Sequence, residues 1–188
     1  MKPRRLFAGV EVAATEELRA LVADLRRELD GERIRWVRLE NMHLTVEFFG
    51  ETPEERIPDL EQALAKAAAG AQAFTMKIGG LGLFGGARHP KVIWLGVEPG
   101  GLGRLHECVN AGLRERGREP EVREFTPHVT LGRMGWLKNV SRFNGVVETH
   151  RNWTAPGQPV TELILFESIS GKEGLNYVAR ARYPLRGE

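Results

Sequence analysis

Among its 188 residues the chain has one cysteine, two tyrosines and no long apolar run, and these shortages remove whole classes of protein. The lone Cys108 cannot close an internal disulfide or build a Cys-rich zinc site, which points to a reducing, cytoplasmic setting. No stretch approaches the roughly 18 uninterrupted apolar residues of a membrane span. The opening Met1-Lys2-Pro3-Arg4-Arg5 is basic, but the apolar run after it is short and contains Glu11, so the core of a signal peptide is missing. An excess of one charge is absent too. With 27 basic residues against 25 acidic ones, a net charge of +2 does not announce a long nucleic-acid footprint and fits local contact near one end of a strand. No linker rich in Pro, Gly or Ser divides the chain, so residues 1–188 are read as a single domain.

What is present is an interleaving of strands and helices. Leu6 to Val12 reads as a buried strand, and Leu18, Leu21, Val22, Leu25 and Leu29 follow at helical spacing. Ile34 to Val37 and Met42 to Phe49 are strand candidates, the second ended by Gly50. Thr52-Pro53-Glu54-Glu55 has the spacing of a helix start, with Pro58 placed to delay or kink it, and the helix runs to about Ala69. Strands at Phe74 to Ile78 and Lys91 to Val97 enclose a glycine-rich connection. The second half predicts a helix from Gly101 to Arg116, a strand from Thr126 to Arg133 and an irregular or weakly helical stretch from Leu137 to Asn152. Strands at Val160 to Glu167 and Tyr177 to Tyr183 close the chain. Several strands follow one another directly, so the expected class is α+β with mainly antiparallel sheets.

One internal echo carries chemistry. His43-Leu44-Thr45-Val46 and His128-Val129-Thr130-Leu131 share the order His, apolar, Thr, apolar, one string in each half. On a strand, side chains alternate between faces, so His and Thr point the same way, roughly 6.5–7 Å apart, while their apolar neighbours enter a core. A histidine on a strand is by itself more often structural than catalytic; a second copy in the other half reverses those odds. If each half forms a lobe on a similar sheet, a pseudo-two-fold axis brings the two His-Thr pairs together at a central groove. Imidazole titrates near pH 6.5, so one ring can be neutral and accept a proton while the other donates one. Threonine hydroxyls are compact donors for non-bridging phosphate oxygens. Displacement at phosphorus places the attacking and departing oxygens in line, and a symmetric pair of proton-transfer groups matches that demand.

These strings resemble those of the 2H phosphoesterase superfamily, named for two His-x-Thr-x motifs. More closely, the chain resembles its RNA 2′,3′-cyclic phosphodiesterases, also called 2′-5′ RNA ligase-like proteins. The likeness extends through Arg5-Leu6-Phe7-Ala8, Asn41 to Gly50, Phe125 to Arg133, Leu165-Phe166-Glu167-Ser168, Tyr177 and Tyr183-Pro184-Leu185. It implies an α+β fold of two pseudo-symmetric lobes, each a mainly antiparallel sheet with helices on its outer face, enclosing a central groove. One lobe would carry His43 and Thr45, the other His128 and Thr130. It also implies no metal, no cofactor, and hydrolysis of a terminal 2′,3′-cyclic phosphate to a 2′-phosphate, with reversible 2′-5′ ligation as a related activity. By this resemblance His43 is the general acid, His128 the general base, and Thr45 and Thr130 hold the phosphate. Arg133 matches a frequent family arginine and is a candidate phosphate ligand, although simple strand alternation turns it away from His128. The implied partner is an RNA 3′ end bearing the cyclic phosphate, or a small cyclic nucleotide. Neither a membrane nor an obligate protein partner is implied, and a monomer is expected.

Other signals are weaker. Gly80-Leu81-Gly82-Leu83-Phe84-Gly85 fits the bare G-x-G-x-x-G pattern, but the strand Lys91 to Val97 follows where a phosphate-binding helix should start, so it is read as a flexible loop rimming the groove. His89, His106 and His150 lack a threonine partner and are read as surface or packing residues. Trp36, Trp94, Trp136 and Trp153 are assigned to the core or a lobe interface, with Phe84 or Phe125 as candidates to stack on a base. A zinc site at His43 and His128 would need a third ligand that no H-x-H, H-E-x-x-H or Cys pair supplies. Two other functions remain: a non-catalytic binder of phosphorylated RNA ends, and a 2H phosphodiesterase acting on small cyclic or 2′-5′ linked nucleotides.

Overall fold

The computed structural model describes residues 2–120, 124–171 and 174–187. In chain order the elements are β1 (Arg4–Glu11), α1 (Glu16–Glu28), β2 (Arg33–Trp36), β3 (His43–Thr52), α2 (Ile57–Gly70), β4 (Phe74–Met76) and β5 (Ile78–Phe84). They continue with β6 (Val92–Val97), α3 (Gly100–Glu115), β7 (His128–Trp136), α4 (Val140–Thr149), β8 (Gln158–Val160), β9 (Glu162–Gly171) and β10 (Gly174–Pro184). The main sheet runs β10-β9-β1-β3-β7-β6-β5, with β2 also on β7, and β4 pairs β8 separately. Each of these strand pairs is antiparallel, so the α+β class holds.

Alternation along the strands separates two environments. Leu6, Ala8 and Val10 of β1, Leu44 and Val46 of β3, Ile93 and Leu95 of β6, and Val129 and Leu131 of β7 are buried in one cluster with the apolar stripes of α1, α2, α3 and α4. Leu18, Leu21, Val22 and Leu25 supply the stripe of α1, whose start is capped by Thr15 Oγ1 accepting from the backbone N–H of Leu18. The opposite face of the sheet is left to a smaller cluster of Phe7, Ile164 and Phe166, and to the histidines. Burying each large aliphatic side chain stabilises the fold by about 1.5–3 kcal/mol, which makes the helix-covered face the rigid support of the other.

The boundaries depart from the sequence reading where turn chemistry intervenes. Gly50 does not end β3, because at φ 66° it turns the chain through a bulge and pairing continues to Thr52 opposite Arg4. Thr52 therefore caps nothing; a 3-10 turn at Glu54–Arg56 precedes α2, and Pro58 sits in its first turn, where a missing N–H costs no hydrogen bond. Residues 140–149 form a regular helix whose Asn139 side chain accepts from Arg142 N–H. The glycine-rich stretch is a strand rather than a loop. Gly79 and Gly82 permit close neighbours there: a Cβ on Gly82 would lie 2.4 Å from the indole of Trp94.

Candidate active site

The halves of the main sheet meet where β3 and β7 run side by side, and their register joins Leu44 to Val129. Paired residues share a face, and both of these are fully buried. Continued one residue either way, the register sets His43 beside Thr130 and Thr45 beside His128, all four on the face away from the core. The two histidines are then diagonal neighbours, a relation that spans roughly 7–8 Å in a sheet and leaves room for one phosphorus atom between the rings.

Local backbone geometry fixes each ring in the same way. His43 Nδ1 donates to the carbonyl oxygen of Asn41 at 2.8 Å, and His128 Nδ1 donates to that of Thr126 at 2.7 Å. A carbonyl can only accept, so Nδ1 carries the proton and Nε2 is the atom left to exchange one. Aromatic rings then hold each imidazole. Phe7 and Tyr177 lie 4.7 and 4.6 Å from His43, and Phe84 meets His128 edge-on at 4.8 Å. Burial lowers the pKa of both histidines. At His43 the hydrogen bond to Asn41 works the other way, while His128 and then Arg133 lower it further; at His128 the Thr126 bond raises it and Arg133 lowers it. Both rings are therefore biased toward the neutral form, His43 with one more opposing charge than His128.

Arg133 reaches this face because β7 is bulged. Ile93 lies opposite Gly132 and Trp94 opposite Thr130, so Leu131 is an extra residue. Leu131 and Gly132 both face inward, which reverses the alternation and brings Arg133 out on the side of His128. Gly132 has to be small, since a Cβ there would lie 2.8 Å from Ile34 Cγ2. The same device occurs in the first string: Ala8 lies opposite Glu47 and Gly9 opposite Thr45, with Val46 extra. Val46 and Glu47 are both buried, and Phe48 emerges where Arg133 does in the other copy. Simple alternation from the sequence thus misplaced Arg133; an arginine two residues beyond the second apolar position gives no sign that the strand will bulge.

Thr45 and Thr130 side chains have no hydrogen-bond partner among the described residues, which leaves both hydroxyls available to a ligand. Cavities flank the histidine pair. One of about 460 Å³ is lined by Thr45, Phe48, Phe84, Phe125 and His128, and one of about 320 Å³ by Glu11, His43, Phe166, Tyr177 and Arg182. A larger cavity of about 700 Å³, beside the start of α1, contains neither histidine and no matched proton-transfer pair. Among the described residues no group of three or more His, Cys, Asp or Glu side chains is arranged to hold a metal ion.

The remaining aromatic and histidine readings divide. Trp94 flanks His128, at 6.2 Å between rings, and Trp136 is 52% exposed, so neither is a core residue. Phe125 stacks on His106 at 4.1 Å. His89 is exposed, and His150 packs against Glu28 at 3.3 Å. The sequence reading missed Phe7, Trp94 and Tyr177 as neighbours of the histidines. Phe7 and Tyr177 are among the residues that carry the family likeness, and strand parity sets Phe7 on the groove face.

A pair of tautomer-fixed imidazoles, each with a threonine on its own strand, on an antiparallel α+β frame is the arrangement of a 2H phosphoesterase. Comparison with known proteins narrows this. The family model described as LigT like Phosphoesterase matches residues 9–94, which include the first string. The RNA 2′,3′-cyclic phosphodiesterase of Thermotoga maritima is 34% identical over 69% of this chain and 70% of its own. That of Aquifex aeolicus is 26% identical over the full length of both. Among solved structures, TT0787 of Thermus thermophilus superposes with a TM-score of 0.78 at 28% identity, covering 98% of this chain and 99% of that one. Escherichia coli LigT in apo form gives 0.72 at 26% identity and the same coverage. The chain belongs to the LigT-like phosphoesterase family. None of its described helices is long and apolar enough to cross a membrane.

Proposed function

We propose that the protein is an RNA 2′,3′-cyclic phosphodiesterase that opens a terminal cyclic phosphate to a 2′-phosphate without a metal. The observation that carries this reading is the convergence of His43, Thr45, His128 and Thr130 on one sheet face. Relatives named RNA 2′,3′-cyclic phosphodiesterase support the substrate class, as does a LigT structure holding 3′-AMP at 25% identity.

In this mechanism Thr45, Thr130 and Arg133 hold the non-bridging oxygens. His128 Nε2 takes a proton from water as its oxygen bonds to phosphorus, and the P–O3′ bond breaks as His43 Nε2–H gives its proton to O3′. The products are a 2′-phosphate and a free 3′-hydroxyl; the rings exchange their proton through solvent to reset. For His43 to act as the acid, the bound phosphodiester anion must offset the burial that opposes its charge, by the ordinary attraction of opposite charges. A 5′-hydroxyl in place of water would yield a 2′-5′ linkage, and the reverse passage would cleave it. On the same reading the chain is one domain of two interleaved lobes, one bearing each His-Thr pair, and works as a monomer in the cytoplasm.

The test is hydrolysis of an oligoribonucleotide ending in a 2′,3′-cyclic phosphate with EDTA present. A 2′-phosphate product, formed by the wild type and lost in His43→Ala and His128→Ala, is expected. A 3′-phosphate product, or dependence on added metal, would contradict the proposal.

A further inference from the structure

The bulge that exposes Arg133 also begins a stripe of exposed cations leading away from the histidines. β2 pairs with the outer half of β7, and its register sets Arg35 opposite Arg133 and Arg33 opposite Trp136. Paired residues share a face, so Arg35 lies beside Arg133 on the histidine side of the sheet, and Arg33, two residues away on β2, shares it. A second irregularity, with Gly135 extra, brings Trp136 onto that side as well. Gly135 clears the way for Arg33, whose Cγ would lie 3.0 Å from a Cβ there. Arg33, Arg35 and Arg133 are exposed, and among the described residues none forms an ion pair with a carboxylate. Trp136 is 52% exposed, with Lys138 Nζ 5.9 Å from its ring.

A run of exposed guanidinium groups ending on an open indole suits one kind of occupant. Arginine pairs with phosphate oxygens, and an exposed indole offers a face on which any base can stack. The run is continuous with the proposed phosphate position beside Arg133, so a chain extending from that phosphate would reach it. We propose that the strand 5′ of the cyclic phosphate lies along β7 and β2, its next phosphates on Arg35 and Arg33 and a base on Trp136. The substrate is then an oligoribonucleotide end in preference to a mononucleotide. This rests on the phosphodiesterase reading and adds a length preference to it.

The experiment compares 2′,3′-cyclic AMP with a short oligoribonucleotide ending in the same cyclic adenosine phosphate, for the wild type, Arg33→Ala/Arg35→Ala and Trp136→Ala. All three positions are exposed, so the variants are expected to fold. The wild type should favour the oligonucleotide. In the double variant the ratio of oligonucleotide to mononucleotide kcat/KM should fall about tenfold through KM, and the slope of log KM against log salt should lessen by roughly 1.4, about 0.7 for each lost phosphate contact. Trp136→Ala should lower the ratio about fivefold or more, the lower range for losing one stacked base. Fluorescence anisotropy of an oligoribonucleotide bearing a 2′-phosphate gives a readout independent of turnover. A wild type that hydrolyses neither substrate would defeat the phosphodiesterase reading alone, with anisotropy still deciding the surface. Unchanged ratios and unchanged anisotropy in both variants would overturn the strand path.

Discussion

The two His-x-Thr-x strings use one backbone device to deliver different side chains. Each histidine is fixed through Nδ1 by the carbonyl two residues before it, and each strand bulges just after its threonine. Beyond the bulge they diverge. The first string buries Glu47 toward α3, near His106 at 3.8 Å, and presents Phe48; the second has Gly132 under β2 and presents Arg133. The difference follows from the neighbours: β2 covers Gly132, whereas the corresponding edge of β3 opens on the cavity lined by Glu47 and His106. Symmetric positions thus supply paired imidazoles and hydroxyls, while the asymmetric ones supply a cation on one side and an apolar ring on the other.

The comparison breaks most severely if proton transfer is removed from either side. His43→Ala and His128→Ala should each lower kcat for a cyclic phosphate substrate by roughly 10²- to 10⁴-fold with folded far-UV circular dichroism. Next in size is the asymmetric pair: Arg133→Ala should cost about 10²-fold in kcat/KM by removing a cation from the phosphate site, whereas Phe48→Ala should cost much less. Equal losses at the two positions would show that the strings are functionally symmetric. Thr45→Val and Thr130→Val should each cost on the order of tenfold or more, the effect of one hydrogen bond to a charged group. Gly132→Ala should destabilise by about 1–3 kcal/mol in urea unfolding, because its Cβ needs the space of Ile34.

The pH dependence is subtler. Both histidines have pKa values lowered chiefly by burial, so the bell in kcat/KM, which reports the free enzyme, should centre below pH 6.5. The bell in kcat should lie higher, since a bound anion favours both protonated rings. The same shifts bear on stability. A histidine whose folded pKa is depressed gives its full contribution above the unfolded value of about 6.5 and loses it as pH falls through the folded value. Denaturant midpoints should fall across that window, and His43→Ala should flatten the fall.

Legibility in the sequence followed the range of the interactions. Alternation in His43-Leu44-Thr45-Val46 and its echo was visible because a strand's period is local, and the stripe of α1 was visible for the same reason. The strand at Ile78–Phe84 was hidden because its glycines answer to distant partners, Gly82 to the indole of Trp94 and Gly79 to Trp153 and Thr154. The site of Arg133 depends on an extra residue opposite Ile93, a cross-strand event without local sign. Charge was misleading in a different way: a net +2 over 188 residues held no hint of the local concentration of Arg33, Arg35 and Arg133.

The central claim, that the two rings act together on a single phosphorus, is tested most directly by a double-mutant cycle in kcat for cyclic phosphate hydrolysis. Groups that act as one unit are strongly non-additive, so His43→Ala/His128→Ala should be no more than a few-fold slower than the slower single variant. Losses that multiply, or a single variant retaining wild-type turnover, would contradict it.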